Sequence, residues 1–268
     1  MSFLSDYHMH TIFSNDGYNT LDEMAAAAIA LGFDELAVTD HYDMYVTQNI
    51  YSVYDPRAAR DAFESARQAY GGKMSLIHGI ELGEYLHDQP TASAVLDEGE
   101  YDFVLGSLHN LYGEEDFYRI VFTSPEQCYS LIERYIAELT DMTLYADFDV
   151  LGHLTYPLRY MHRRAPFDVD FRPFEEGLRA LFRAVVQSGR GIELNYSGLR
   201  REGRETMPDP WCLKLYRECG GEILTLGSDA HRAEHLGMHM YEAVEIARAA
   251  GFRYIAGYKG RKPVMHKF

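Results

Sequence analysis

Asp6-Tyr7-His8-Met9-His10 ends the first predicted strand of this chain with two histidines one residue apart. On an extended strand, residues i and i+2 point to the same face, so His8 and His10 can present both imidazoles to one metal ion. Zinc-like ions in proteins take three or four such ligands. The pair therefore predicts a metal site only if other parts of the chain supply partners.

The rest of the chain alternates short apolar runs with helical patterns, which predicts an α/β fold. The predicted strands are Leu4–His10, Glu35–Thr39, Met74–Leu82, Phe103–Ser107, Val150–His153, Gly191–Asn195, Ile223–Gly227 and Arg253–Ala256. The predicted helices are Leu21–Leu31, Asp55–Tyr70, Ser124–Leu144, Asp170–Ser188, Asp209–Cys219 and Ala233–Ala250. A parallel sheet closed or nearly closed into a barrel is the predicted architecture, and an open doubly wound sheet is the alternative.

Length and composition favour one large domain over 1–268, since α/β barrels of this size are common. Gly257–Phe268 carries four cationic residues and is predicted to be a polar C-terminal tail. The formal net charge of −16 argues against a nucleic-acid surface. No apolar run reaches the length of a membrane span, and the N-terminal residues lack the charged and then apolar segments of a signal peptide. A cytoplasmic location is therefore predicted. The oligomeric state is left open.

All predicted strands but the last deliver metal-ligating side chains to their carboxyl ends. In chain order these are His8 and His10, Asp40 and His41, Glu81, His109, His153, Glu193 with Asn195, and Asp229 with His231. In parallel α/β folds, functional groups gather at this end of the strands. One such histidine alone is most simply a hydrogen-bond partner of a backbone carbonyl. Burying all of them together costs several kcal/mol unless cations compensate them, so a metal cluster is predicted.

The motifs that carry these residues are Asp6-Tyr7-His8-Met9-His10, Thr39-Asp40-His41, Gly79-Ile80-Glu81, Gly106-Ser107-Leu108-His109, Gly152-His153 and Ser228-Asp229-Ala230-His231. In this order they resemble the PHP (polymerase and histidinol phosphatase) family over nearly the whole chain. The resemblance implies a distorted (β/α)7 barrel with a metal centre at the C-terminal ends of the strands. Within the family, the length and the stretch from Glu193 to Arg200 resemble the monofunctional histidinol-phosphate phosphatases.

The resemblance also implies three divalent ions, Zn, Mn or Fe. The implied ligands are His8, His10, Glu81 and Asp229 for the first ion, Glu81, His109 and His153 for the second, and Asp16, His41 and His231 for the third. Many relatives carry a histidine where Asp16 stands, and the neighbouring Asn15 is the alternative ligand. An oxygen ligand at this position shifts the preference toward harder ions such as Mn or Fe(II).

Several ions with mixed nitrogen and oxygen ligands suit phosphate ester hydrolysis, because a bridging water loses its proton near neutral pH. Asp229 is predicted to position this bridging hydroxide. Either Asp40 or His231 is predicted to protonate the leaving oxygen. A phosphomonoester dianion matches the planar fork of arginine, and both Arg159 and Arg200 follow strand ends that carry candidate ligands. Other arginines, such as Arg201, are expected to be solvated.

The predicted function is a metal-dependent phosphomonoesterase that hydrolyses L-histidinol phosphate to L-histidinol and phosphate in histidine biosynthesis. Its leaving group is cationic, and acidic residues near strand ends could attract it: Asp43, Asp88, Glu114, Glu115 and Asp116. Aromatic residues there could stack its imidazole: Tyr42, Tyr45, Phe117, Tyr156 and Tyr160. One alternative is a PHP phosphoesterase acting on a nucleotide or another small phosphomonoester. The other alternative function is that of a metal-binding regulatory protein without catalytic activity.

Overall fold

The computed structural model describes residues 3–44 and 54–267. Its strands are β1 (Ser5–Asp6), β2 (Glu35–Val38), β3 (His41–Asp43), β4 (Ser75–Gly83), β5 (Phe103–Ser107), β6 (Val150–Leu151), β7 (Gly191–Asn195), β8 (Leu224–Gly227), β9 (Tyr254–Lys259) and β10 (Lys262–Lys267). Its α-helices are α1 (Leu21–Leu31), α2 (Pro56–Tyr70), α3 (Gln89–Gly99), α4 (Pro125–Tyr145), α5 (Tyr156–Arg164), α6 (Glu175–Gln187), α7 (Pro210–Glu218) and α8 (Met240–Ala249).

Seven parallel strands form the wall of a barrel in the order β1-β2-β4-β5-β6-β7-β8, and the short β3 pairs with the far end of β4. The ring closes between its first and last strands. The backbone N–H of Tyr7 donates to Leu226 O at 2.8 Å, and that of Asp229 donates to His8 O at 2.7 Å. The predicted distorted barrel is therefore confirmed, and the open doubly wound sheet is excluded.

Helices α1, α2, α4 and α7 begin at their predicted capping residues. The other two predicted helices begin later than expected, α6 at Glu175 rather than Asp170 and α8 at Met240 rather than Ala233, and neither has a side-chain cap. The Thr20 hydroxyl accepts the Glu23 N–H at the start of α1, and the Glu23 carboxylate accepts the Thr20 N–H at 2.8 Å, which satisfies two otherwise unpaired donors. The Ser124 hydroxyl accepts the N–H of Gln127 at the start of α4. Helices α3 and α5 were not predicted from the sequence. Within the described ranges, no helix is long and apolar enough to cross a bilayer.

The barrel interior has an apolar floor beneath a polar mouth. Ile77 and Glu81 lie four residues apart on β4 and therefore share one face of the sheet. Ile77 packs with Phe103, whereas Glu81 stands above it at the mouth. From below, Tyr258 of β9 fills the interior, and its N–H donates to the hydroxyl of Tyr7 at 2.6 Å. The ligand-bearing strand ends thus rest on a packed core.

The segment predicted as a polar tail, 257–268, instead forms part of a hairpin. Gly257 lies within β9, and β10 pairs with β9 in antiparallel register through Lys267. The guanidinium of Arg261 in the turn contacts the carboxylates of Asp147 at 2.7 Å and Asp149 at 2.6 Å. Charged residues fit the solvent face of a hairpin as well as a tail, so composition misled the prediction. Phe268 lies outside the described residues.

Candidate metal centre and active site

The nine predicted ligands converge at the barrel mouth. They are His8, His10, Asp16, His41, Glu81, His109, His153, Asp229 and His231, and each lies within 4 Å of another member of the set. Most are buried, whereas more than half of the Asp16 side chain is exposed. Parallel strands end at the same edge of the barrel, which explains why residues distant in sequence meet here.

Glu81 lies at the middle of the cluster. Its Oε2 atom is 3.0 Å from Nε2 of His8 and 3.0 Å from Nδ1 of His41. Its Oε1 atom is 2.8 Å from Nε2 of His153 and 3.3 Å from Nε2 of His109. The carboxylate therefore faces two separate groups of imidazoles, as a bridging ligand must. Ser107 donates its hydroxyl proton to Oε1 at 2.6 Å and fixes the carboxylate in this orientation.

The hydrogen bonds around His8 and His10 direct two lone pairs at the same space. Nδ1 of His8 donates to Glu193 Oε1 at 2.7 Å. Nδ1 of His10 donates to the hydroxyl of Ser14 at 3.1 Å, since that hydroxyl gives its own proton to Asp40. In the neutral imidazoles that bind metal, both Nε2 atoms then carry lone pairs, and they lie only 3.1 Å apart. Two facing acceptors repel one another unless a cation lies between them, so the donor set fits a metal ion.

His109 and His153 form a second pair of the same kind. Their Nε2 atoms lie 3.2 Å apart. Nδ1 of His109 lies 3.3 Å from Asp43 Oδ1 and 3.5 Å from Glu84 Oε1, two acceptors for its proton. His153 has a left-handed backbone with φ of 47°. Such a conformation is costly for a non-glycine residue, and it is typical of functional sites.

Asp229 also has a left-handed backbone, with φ of 52°, and two arginines hold it. The Arg159 guanidinium donates to Asp229 Oδ2 at 3.3 Å and also contacts the hydroxyl of Ser197. The Arg200 guanidinium donates to the carbonyl oxygens of Ser228 at 2.6 Å and Asp229 at 3.2 Å. Both predicted phosphate-binding arginines therefore line the site, and Arg200 in addition stabilises the strained turn after β8.

The third predicted group lies nearest to solvent. Asp16 Oδ2 is 3.1 Å from Nε2 of His231. The ring of His10 is stacked against both His41 and His231, with centroid distances of 4.2 and 4.1 Å. Both Asn15 and Asp16 line the cavity, and the contact of Asp16 with His231 favours Asp16 as the ligand.

Burial and close neighbours set the protonation of the cluster. Burial lowers the pKa of His8, but the carboxylates of Glu81 and Glu193 raise it well above its usual value. Burial and the nearby His231 and His41 hold the pKa of His10 well below the usual range. Burial raises the pKa of Glu81, yet the surrounding histidines hold it well below its ordinary value. A negative, histidine-lined site of this kind suits divalent cations.

Among the residues that the structure describes, four sets of three side chains have the spacing of a metal-binding group: His10-His41-His231, His8-His10-Asp229, His41-Glu81-His109 and Asp43-Glu84-His109. Three of these sets consist of predicted ligands only. The fourth adds Asp43, one of the acidic residues predicted near the leaving group, and Glu84, which accepts the backbone N–H of His109. The donor atoms are imidazole nitrogens and carboxylate oxygens, which suit Zn, Mn and Fe.

Asp40, one of the two predicted proton donors, does not line the cavity. It is 2% exposed, and its carboxylate accepts the Thr11 N–H at 2.6 Å, the Thr11 hydroxyl at 2.7 Å and the Ser14 hydroxyl at 2.7 Å. The structure therefore places it beneath His10 as a support, through Ser14. Strand-end position alone could not distinguish a side chain that faces the cavity from one that faces the loop below it.

A cavity of about 800 Å³ opens above the cluster. Its outer wall includes Asp116, Tyr118, Tyr156, Tyr160, Arg119, Arg201 and Arg232. Of the five acidic residues expected at the rim, Asp43 and Asp116 line this cavity. The other three have different contacts: Asp88 caps α3, Glu114 pairs with Arg134 and Glu115 pairs with Arg119.

Two further predictions for the rim need adjustment. Arg201 was expected to be only a solvated cation, but it is an exposed residue that also lines the cavity. Among the aromatic residues, Tyr156 and Tyr160 line the wall, and Phe117 is fully buried behind it. Tyr45 lies outside the described residues.

Comparison with known proteins agrees with this geometry. The family model of the PHP domain matches residues 6–197. A probable histidinol-phosphatase of Thermotoga maritima is 27% identical over 98% of each chain. A histidinol-phosphatase of Lactococcus lactis is 25% identical over 96% of this chain and 95% of its own. The crystal structure of histidinol phosphate phosphatase from Lactococcus lactis, complexed with zinc, L-histidinol and phosphate, matches with a TM-score of 0.85. That match has 23% identity and covers 98% of this chain and 100% of the other.

Proposed function

Because this chain belongs to the PHP-domain family, we propose that it is a metal-dependent phosphatase that hydrolyses L-histidinol phosphate to L-histidinol and phosphate. The observation that carries the proposal is the convergence of imidazole nitrogens on both oxygens of Glu81, beside the guanidinium of Arg159. Relatives named histidinol-phosphatase that align over nearly their whole length support the choice of substrate. The barrel strands run from Ser5 to Gly227, which supports a single catalytic domain.

We assign three divalent ions, Zn, Mn or Fe, to the three groups of ligands. His8, His10, Glu81 and Asp229 would hold the first ion, Glu81, His109 and His153 the second, and Asp16, His41 and His231 the third. When bound, such ions supply a nucleophile at neutral pH and stabilise negative charge on the phosphoryl oxygens. The tautomers described above leave the lone pairs of His8 and His10 pointing into the cluster, ready for this role.

The protein's own groups then position the ester. Arg159 lines the cavity next to Asp229, and its Nε atom is buried without a hydrogen-bond partner among the described residues. An unsatisfied buried donor is costly, so an incoming phosphoryl oxygen would restore a lost interaction. Arg200 lines the same cavity, and its fork offers further donors beyond those that hold Ser228 and Asp229. Asp229, which lines the same cavity and contacts Arg159, would help to hold the attacking oxygen beside the phosphoryl group.

His231 is the remaining candidate for the proton donor, because it lines the cavity whereas Asp40 does not. Its Nδ1 donates to the backbone oxygen of Asp229 at 3.1 Å, which leaves Nε2 directed at Asp16 and the cavity. One nitrogen cannot bind an ion and donate a proton at the same time. The dependence of the rate on the leaving group distinguishes these two roles.

The outer wall suits a small leaving group that carries an amine and an imidazole. Asp116 accepts the Tyr118 N–H at 2.6 Å and lies 3.5 Å from the hydroxyl of Tyr156, so its carboxylate is fixed in the wall. The Tyr156 ring is stacked on that of His153 at 5.1 Å, and it therefore spans the distance from the metal cluster to Asp116. A substrate whose phosphate lies at the cluster would meet Asp116 with its cationic end.

A nucleotide phosphatase is the second candidate function, because Tyr118 and Arg119 at the same wall could contact a base and a further phosphate. The net charge of −16 disfavours a polynucleotide substrate. An inactive regulatory protein is disfavoured because the ligand groups and both arginines are present together. The cytoplasmic location and the absence of nucleic-acid and membrane partners remain predictions from sequence.

The test is phosphate release from L-histidinol phosphate by protein stripped with a chelator and then reloaded with Zn, Mn or Fe. We expect no turnover without metal, recovery on reloading, and two to three ions per chain in the active preparation. Turnover by metal-free protein, or fewer than two ions per chain at full activity, would refute the proposed centre.

A further inference from the structure

A series of buried hydrogen bonds connects the guanidinium of Arg159 to the imidazole of His8. Nη2 of Arg159 donates to the Ser197 hydroxyl, which donates to Oδ1 of Asn195 at 2.6 Å. Nδ2 of Asn195 then donates to Glu193 Oε1 at 3.3 Å. The same oxygen accepts Nδ1–H of His8 at 2.7 Å. One end of this series thus faces the phosphate-binding wall and the other end faces the metal cluster.

The direction of every hydrogen bond in the series is determined. Arginine can only donate, so the Ser197 hydroxyl accepts from Arg159 and gives its own proton to Asn195. The Asn195 amide cannot be flipped, because its Oδ1 also accepts the backbone N–H of Ser197 at 3.1 Å. Its Nδ2 is therefore the group that faces Glu193. Because Glu193 accepts from Nδ1 of His8, the neutral imidazole has its lone pair on Nε2, on the side of the metal cluster.

The strand order explains how this arrangement is built. Glu193 and Asn195 are two residues apart on β7 and share one face, and Ser197 begins the turn that follows. All three are at most 1% exposed, so water does not compete for their hydrogen bonds. The adjacent β8 provides Gly227, where a Cβ atom would lie 1.9 Å from Glu193 Oε1. Only glycine at this position lets the carboxylate reach His8.

We propose that Asn195 and Ser197 are positioning residues that couple the phosphate-binding end of the site to its metal-binding end. The hydrogen bonds hold Arg159 and His8 in one fixed relative geometry, so that a change at either end is felt at the other. The inference rests on the proposed function only in taking Arg159 as a phosphate-binding group and His8 as a metal ligand. It does not depend on which phosphate ester is hydrolysed.

The test compares Ser197→Ala, Asn195→Leu and the double variant, because leucine has nearly the shape of asparagine but forms no hydrogen bonds. Zinc affinity is measured on metal-free protein by competition with a chelator. Inorganic phosphate affinity is measured on the zinc-loaded protein by calorimetry. Coupling predicts that each single variant weakens both affinities by about tenfold, the lower end of losses for groups that orient metal ligands. The double variant is then no weaker than the worse single variant, since both break one network.

Two controls accompany these variants. Ser197→Thr retains the hydroxyl and is expected to restore both affinities. Ser5→Ala removes a buried hydroxyl that has no hydrogen-bond partner among the described residues, and both affinities are expected to stay unchanged. If Asn195→Leu does not fold, Asn195→Asp takes its place, because aspartate retains the acceptor for Ser197 and lacks the donor to Glu193.

The proposal is overturned if Ser197→Ala weakens phosphate alone, Asn195→Leu weakens zinc alone, and the double variant shows the product of the two effects. Such additivity would mean that each residue acts only on its own neighbour. Since neither measurement uses L-histidinol phosphate, a failure here is distinguishable from a failure of the proposed substrate.

Discussion

Oε1 of Glu81 lies 2.8 Å from Nε2 of His153, at a point where both side chains are buried. The other oxygen of the same carboxylate faces His8 and His41. A single side chain from β4 therefore joins the two halves of the cluster, and its loss should affect both.

Glu81→Gln keeps the shape of this side chain and removes its charge. We expect at least one ion fewer per chain, and a fall in kcat of at least about 100-fold, since a catalytic metal contributes several kcal/mol. Metal analysis and steady-state kinetics measure both. Glu35→Gln is the matched control, because Glu35 lies on β2 and accepts the Tyr7 hydroxyl, away from the cluster. Full metal content in Glu81→Gln would show that Glu81 is not a bridging ligand.

Arg159→Lys tests whether the planar guanidinium of Arg159 binds the phosphoryl group. Lysine keeps the charge but cannot donate to two oxygens in one plane, so we expect kcat/KM to fall by about 100-fold with unchanged metal content. The lysine ammonium can still donate to the Ser197 hydroxyl, so the series of hydrogen bonds from this position to His8 is kept in this variant. Arg163→Lys on the exposed side of the same helix, α5, should behave as wild type. Equal kinetics for both variants would remove Arg159 from the phosphate site.

Whether His231 is a proton donor or only a metal ligand is tested by comparing two esters that have different leaving groups. A departing alkoxide needs a proton, whereas p-nitrophenolate does not. If His231 donates that proton, His231→Asn should slow hydrolysis of L-histidinol phosphate about 100-fold more than that of p-nitrophenyl phosphate. Both rates are divided by the metal content of each preparation. Equal losses for the two esters would leave His231 as a ligand only.

Asp116→Asn tests recognition of the cationic leaving group. We expect KM for L-histidinol phosphate to rise about tenfold, as for loss of one charge-assisted contact of about 1.4 kcal/mol, whereas KM for p-nitrophenyl phosphate stays the same. Glu115→Gln is the control, since this neighbouring residue pairs with Arg119 and does not line the cavity. The assignment fails if both esters lose affinity equally in Asp116→Asn.

The strand ends made much of this site predictable from sequence. Every predicted ligand except Asp16 lies at or just after the end of a predicted strand, and parallel strands bring such positions to one edge, so the barrel and most of the cluster could be inferred. Asp16 lies in the loop after His10 and was implied only by the family resemblance. The role of Asp40 could not be inferred, because its hydrogen bonds to Thr11 and Ser14 depend on the loop after β1. The series through Asn195 and Ser197 was missed for a similar reason: short polar side chains after a strand are common, and only three-dimensional distances reveal their partners.

The β10 strand and helix α5 show two further limits. Lys262–Lys267 is mostly exposed, and its apolar residues Pro263, Val264 and Met265 are consecutive rather than alternating with polar ones, so the sequence lacks the period of a half-buried strand. Helix α5 begins at Tyr156 with Pro157 in its first turn, a combination that resembles a loop unless the residues after it are weighed as a helix.

His78 allows a pH prediction away from the active site. Its ring packs between Phe63 and Tyr101 on the outer face of β4, and burial lowers its pKa to about 4. The unfolded chain binds this proton near pH 6.5, so the folded state loses stability as the pH falls from there toward 4. At pH 5 we expect a loss of about 2 kcal/mol relative to pH 7.5 from this residue.

His78→Phe should remove this loss, because phenylalanine fits between the same rings and does not titrate. Urea unfolding of metal-free wild type and variant at the two pH values gives the difference directly. An identical pH dependence for the two proteins would mean that His78 is protonated equally in the folded and unfolded chains.

The proposed metal centre serves a phosphomonoester with a cationic leaving group. The most direct test is kcat/KM of the metal-loaded enzyme for L-histidinol phosphate, measured beside a nucleoside monophosphate, p-nitrophenyl phosphate and a phosphodiester. We predict the highest value for L-histidinol phosphate and the lowest for the diester. A higher value for the nucleotide or the diester would contradict the proposed function.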